Sequence, residues 1–214
     1  AAVQQSLLPK SLPDVPGIRL AWSFRPCEVL AGDFLNVLRL DERHLALYVA
    51  DVSGHGVVAS LLSVTISHVL TARDATASLL MRAQPAGSGM EIVPPKEVVS
   101  ELNRRFQMDE SGGSYFTLVY GVLDVEKLEF CYVSAGHPPI IRLPHRREPE
   151  LLEGGGFAVG WDADFDFDQY TLKLTAGDRL CIYSDGVPEA LNGELESFTN
   201  ERLIDVCRRE RSQD

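Results

Sequence analysis

The stretch FTLVYGVLDVEKLEFCYVSAGHPPIIRL, Phe116 to Leu143, decides the fold. Phe116–Val122, Leu128–Ser134 and Ile140–Leu143 follow one another as apolar, strand-like runs with turn signals between them. Tyr170–Leu174 and Arg179–Tyr183 continue the series downstream, and Thr199–Cys207 reads as the start of a helix that the chain abandons. Upstream, Val57–Ala72 is expected to be a helix, with Leu61, Leu62, Ile66, Val69 and Leu70 at helical spacing. Gln84–Gly89 reads as a loop. Pro94 and Pro95 then open a second helix through Phe106, with Val98, Val99, Leu102 and Phe106 on one face. Before these helices, Leu20–Phe24 reads as a strand, and Val37–Leu40 with Leu45–Ala50 as a hairpin turning at Asp41-Glu42-Arg43. Strands therefore surround a central block of two helices without strict alternation. That order predicts an α+β fold with antiparallel sheets covered by helices, and argues against a doubly wound parallel sheet.

The remaining composition narrows the class. With 214 residues, 45% apolar and 24% charged, the chain suits one ordinary globular domain or at most a small pair. It is long enough to bury a core without disulfides. No apolar run reaches the roughly 18 residues of a membrane span, and the start is no signal peptide. The opening Ala-Ala-Val lacks a methionine, so a piece of a longer protein is expected. Lys and Arg number 20 against 31 Asp and Glu, a net charge of −11 that repels nucleic acid and anionic membranes. The one basic cluster, His145-Arg146-Arg147 between Pro144 and Pro149, reads as a solvated hairpin tip. Cys27, Cys131, Cys181 and Cys207 form no C-x-x-C pair and no zinc spacing, which points to a reducing compartment, the cytoplasm.

Three aspartates stand apart, each at the end of an apolar run and beside glycine: Gly32-Asp33-Phe34, Ala50-Asp51-Val52-Ser53-Gly54-His55-Gly56 and Tyr183-Ser184-Asp185-Gly186. A lone aspartate there is ordinarily a turn residue capping backbone N–H groups. Three such carboxylates need a cation or a full set of donors, because burying an unpaired charge costs several kcal/mol. Oxygen-only ligands select Mg²⁺ or Mn²⁺ over zinc or copper. Two such ions about 3.5–4 Å apart can lower the pKa of a water and clamp a phosphate for in-line attack. Asp51, the middle of the set, would bridge them, and the carbonyl of Val52 could complete one shell.

Those motifs, with Ala135-Gly136-His137-Pro138-Pro139 and Gly177-Asp178-Arg179, resemble the bacterial branch of the type-2C metal-dependent phosphatases. That branch includes the sporulation stage-two-E phosphatase and the regulators of stress-response sigma factors. The resemblance runs in order from Gln5-Ser6-Leu7-Leu8-Pro9 to Glu201-Arg202-Leu203. It implies a four-layer α-β-β-α sandwich with two antiparallel sheets and two Mn²⁺ or Mg²⁺ ions at one end. By motif, Asp33 and Asp185 would be metal ligands, Asp51 the bridge, and Val52 a carbonyl ligand. The implied activity is hydrolysis of phosphoserine or phosphothreonine on a partner protein, often an anti-sigma-factor antagonist. An upstream sensor or receiver domain is implied too. Residues 1–16 would be a regulatory linker, with Val3, Leu7 and Leu8 the end of a longer helix that breaks at Pro9, and 17–214 the phosphatase domain. A homodimer is left open.

Two departures weigh on this. Asn36 stands where the family has an acid, and the family's late Asp-Asp-x-Thr is absent, so truncation at the C-terminus is expected. A catalytically weakened, phosphatase-like signalling module is the rival; a metal-dependent nuclease is disfavoured by the acidic charge. Among other residues, Arg25 is a candidate phosphate ligand, against the ordinary reading of a surface arginine. His55 and His137 read as structural turn residues rather than general acids. His44 and His68 read as surface residues without a partner, and Ser53 and Ser184 as poor nucleophiles.

Overall fold

The computed structural model describes residues 7–25, 32–54, 56–71, 78–84, 89–108 and 113–210. In chain order the elements are β1 (Phe34–Arg39), β2 (His44–Val52), α1 (Val57–Val69), β3 (Met81–Ala83), β4 (Met90–Ile92), α2 (Pro95–Arg105), β5 (Phe116–Asp124), β6 (Glu129–Ala135), β7 (Ile141–Leu143), β8 (Glu150–Leu151), β9 (Tyr170–Lys173), β10 (Arg179–Cys181) and α3 (Asn200–Glu210). A five-stranded sheet has the order β1-β2-β5-β6-β9, and a three-stranded sheet the order β10-β7-β8. Every paired strand in them is antiparallel.

Side-chain alternation builds the layers. In β2, Ala46, Tyr48, Ala50 and Val52 join one core with Ala59 and Ile66 of α1 and Val98, Val99 and Leu102 of α2. Leu45 and Leu47 face the other way. They meet Val119, Leu123, Phe130, Tyr132 and Ile140, together with Leu180 and Ile182 from the second sheet. Beyond that sheet, Ile141, Leu143 and Tyr183 pack on Leu203, Ile204 and Cys207 of α3. The layers thus run helix, sheet, sheet, helix, the expected α-β-β-α sandwich. Val98, Val99 and Leu102 are fully buried, each stabilising by roughly 1.5–3 kcal/mol. Pro95 sits in the first turn of α2, where its missing N–H breaks no helical bond.

Two polar devices fix loops around this frame. Asn103, 2% exposed, accepts from the Gly160 N–H at 2.7 Å and donates to the Asp162 carbonyl at 2.8 Å. Asp178 accepts from the Arg142 guanidinium at 2.7 Å and from the backbone N–H groups of Thr175 and His145. These donors hold its carboxyl below the usual carboxylate range despite its burial, which opposes them.

Several expectations change in detail. Leu20–Phe24 is not a strand: no strand pairs with it among the described residues, and Ala21, Trp22 and Ser23 are exposed. Leu7 and Leu8 lie in a turn and bend, not a helix, and both are buried, Leu7 in the helix-covered core. Val3 lies outside the described residues, as do Cys27 and His55. Of the expected loop Gln84–Gly89, residues 85–88 lie outside the described residues; β3 and β4 on either side are paired three-residue strands that the pattern did not reveal. α3 continues to Glu210. His44 is not partnerless; its Nδ1 lies 2.8 Å from Asp41 Oδ2. The basic cluster forms the turn between β7 and β8, as expected. No helix among the described residues is long and apolar enough to cross a membrane.

Candidate metal centre

Antiparallel register brings the first two aspartates together. β1 and β2 pair Phe34 with Ala50, so the residue before Phe34, Asp33, comes level with Asp51 at the open end of the hairpin. On its other side Asp51 pairs with Thr117 of β5. By strand alternation Asp51 lies on the face turned to the second sheet, at the edge of the seam between sheets. The second sheet contributes the third aspartate. β10 runs out through Tyr183 to Ser184 and Asp185, and Ser184 Oγ donates to Asp33 Oδ2 at 2.9 Å. That bond ties the two sheets together at the site.

The backbone around these carboxylates is tight. A Cβ on Gly32 would stand 2.3 Å from the Val52 carbonyl oxygen. The Gly32 carbonyl in turn accepts from the buried Ser63 Oγ of α1 at 2.7 Å. Ser53 closes the strand end by exchanging bonds with Tyr115. Gly54 and Gly56 take φ of 87° and 84°, a left-handed region that a side chain disfavours, as the chain enters α1.

Electrostatics marks Asp51. Burial first, then the hydrogen bond with Asp33 and the charges of Asp33, Asp185 and Glu189, push its carboxyl up to about 8. Burial and neighbouring negative charge thus both disfavour the ionised form of Asp51.

Asp185 opens onto a cleft of about 540 Å³ whose walls include Thr117, His137, Pro188, Glu189, Asn200 and Glu201, with no lysine or arginine among the lining residues. His137 is buried. Its Nδ1 lies 2.8 Å from Thr117 Oγ1, and its Nε2 has no partner among the described residues. Burial pushes the ring down to about 4, so it is neutral at pH 7.

The donor set fits a hard divalent cation in kind: carboxylate oxygens, with no thiolate, lysine or arginine among the described residues that line the cleft. The carboxylates converge pairwise, however. Among the described residues no three Asp, Glu, His or Cys side chains already enclose one point as an ion would require. The structure thus gathers Asp33, Asp51 and Asp185, while Val52 directs its carbonyl against Gly32. Arg25 is exposed and does not line the cleft. Sequence reading missed Glu189; its signal was the four-residue spacing from Asp185 across a Gly-Val-Pro turn. Ser184, set aside as a nucleophile, holds Asp33 in place instead.

Comparison with known proteins places this geometry. The family model for stage II sporulation protein E (SpoIIE) matches residues 41–214. Phosphoserine phosphatase RsbU of Bacillus subtilis is 27% identical over 208 residues, covering 96% of this chain and 57% of RsbU. Phosphoserine phosphatase RsbP of the same organism is 30% identical over 162 residues, 74% of this chain and 36% of RsbP. The chain thus spans less than two thirds of either relative. The solved RsbU and RsbW domains of Rv1364c from Mycobacterium tuberculosis match with a TM-score of 0.66 at 25% identity, over 88% of this chain and 48% of that one.

Proposed function

Since this chain belongs to the stage II sporulation protein E family, we propose that it is a metal-dependent protein phosphatase acting on phosphoserine or phosphothreonine of a partner protein. The observation that carries the reading is the convergence of Asp33, Asp51 and Asp185 from both sheets on a carboxylate-lined edge, where no lysine or arginine lines the cleft among the described residues. Two Mn²⁺ or Mg²⁺ ions held there would neutralise the phosphate's charge and lower the pKa of the attacking water. Asp51, level with Asp33 and half-buried, would be the bridging carboxylate. Asp33, its oxygen oriented by Ser184, and Asp185 would supply the further carboxylate ligands. Val52 would supply a backbone oxygen, and Arg25, exposed and outside the cleft lining, would be the candidate for the phosphate.

The family resemblance supports an anti-sigma-factor antagonist as substrate and stress-response signalling as the setting. The thiols of Cys131, Cys181 and Cys207 are free, which supports a cytoplasmic location. In the same reading, residues 1–16 link the domain to an upstream sensor or receiver.

The test is phosphate release from a phosphoserine protein under saturating manganese. Asp51→Asn is expected to lower turnover by orders of magnitude, with its fold intact by circular dichroism. Unchanged turnover would sink the two-metal assignment. One observation favours a second reading, a weakened phosphatase-like signalling module: no trio of ligands encloses a point among the described residues. Absence of manganese-dependent phosphate release from the wild-type chain would select it.

A further inference from the structure

The second sheet and its helix hold two cysteines against each other. Along β10 and the residues after it, strand alternation turns Leu180 and Ile182 toward the seam between the sheets, and Cys181 and Tyr183 toward α3. From α3, Leu203, Ile204 and Cys207 face back at helical spacing. Two bonds fix how strand and helix lie. Arg179 Nη1 donates to the Glu210 carbonyl at 3.4 Å, and Tyr183 Oη donates to Asn200 Oδ1 at 3.1 Å. The two segments therefore run in opposite directions, and Cys181 meets Cys207 between these ties. Their thiols share a hydrogen bond and pack with Tyr183 in one apolar cluster.

A half-buried cysteine is ordinarily a small apolar filler. Two observations set this pair apart. The thiols reach each other from different elements, and neither is closed off from solvent, since both are only half-buried. Cys131, the third thiol of the described residues, instead accepts from Thr171 Oγ1 at 3.8 Å. We propose that Cys181 and Cys207 form a reversible disulfide on exposure to a hydroperoxide, stapling α3 to the strand that leads into Ser184 and Asp185. Burial, then the neighbouring Cys207, push the Cys181 thiol up to about 12, so Cys207 attacks first. Its sulfur takes one oxygen of hydrogen peroxide as the O–O bond breaks, and the thiol proton leaves with the other oxygen as water. A sulfenic acid remains. The Cys181 sulfur then bonds to the Cys207 sulfur, the S–O bond breaks, and the Cys181 proton leaves with that oxygen as a second water. Two thiols are oxidised to one disulfide, and one peroxide is reduced to two waters. The staple needs no metal and is independent of the activity proposed above.

The test treats the reduced chain with hydrogen peroxide in the absence of metal and removes the excess. Peptide mapping by mass spectrometry should find the segments holding Cys181 and Cys207 joined, with two hydrogens lost. The melting temperature, followed by circular dichroism, should rise by about 5–15 °C, as expected for a cross-link closing residues 181–207, and fall back after dithiothreitol. Cys181→Ser and Cys207→Ser should show neither change, whereas Cys131→Ser should show both. Mapping of the wild type decides alone if a serine variant does not fold. Three results would overturn the proposal: a link through Cys27 or Cys131 in place of this pair, no link at all, or a link that leaves the melting temperature unchanged.

Discussion

Gly32→Ala tests how tightly the strand pairing holds the site. Gly32 does not occupy the left-handed region, so any effect of the substitution comes from space alone. An added Cβ would meet the Val52 carbonyl oxygen at 2.3 Å and its N and C atoms at 3.1 and 3.2 Å, all of them backbone. Real Cβ contacts essentially never fall under 3.0 Å, so the two strands must part by at least 0.7 Å. Neither can move alone. Ser63 Oγ pins the Gly32 carbonyl from α1, and β5 pairs along the whole of β2. The displacement therefore passes to Asp33, the next residue, or to the Val52 carbonyl, and both are candidate ligands. A misplacement near 1 Å costs about 100-fold in rate. Overpacking of this kind costs about 1–3 kcal/mol, a drop of roughly 2–12 °C in melting temperature for a chain of this size. Phosphoprotein hydrolysis at saturating manganese, with melting followed by circular dichroism, measures both. A variant within twofold of wild-type kcat/KM and with an unchanged melting temperature would refute the claim that this contact positions the site.

Two further outcomes follow from buried polar groups. His137 stays neutral in the fold until about pH 4 but takes a proton near pH 6.5 when unfolded, so the unfolded state binds more protons between those values. Its contribution is complete above pH 6.5, and about 3 kcal/mol is lost as pH falls to 4; His137→Gln should flatten that part of the profile of urea midpoint against pH. Asn103→Ala leaves the Gly160 N–H and the Asp162 carbonyl without their partner and should lower unfolding free energy by roughly 3 kcal/mol in urea, with little change in manganese affinity.

Much of this was legible in the chain because the signals were local. The β5–β6 and β1–β2 hairpins and the apolar face of α2 carry their periodicity within each segment. The same holds for the strand-end aspartates, since a carboxylate closing an apolar run beside glycine stands out. What failed depended on partners. Leu20–Phe24 has the residues of a strand, yet a strand exists only where a neighbour bonds to it. The three-residue pair β3 and β4 is too short to show a period. Glu189 looked like any charged turn residue, because its meaning comes from Asp51, far away in sequence. The tie between Ser184 and Asp33 was hidden for the same reason: it joins the ends of two sheets.

That tie spans 151 residues. A ribosome adds about 5–20 residues per second, so roughly 8–30 seconds separate the emergence of Asp33 from that of Ser184. Through that interval the nascent chain carries Asp33 and Asp51 without the strand that completes the set. The three aspartates therefore come together only late in synthesis, once the second sheet has docked, and a chain arrested before Ser184 holds Asp33 without the hydroxyl that orients it.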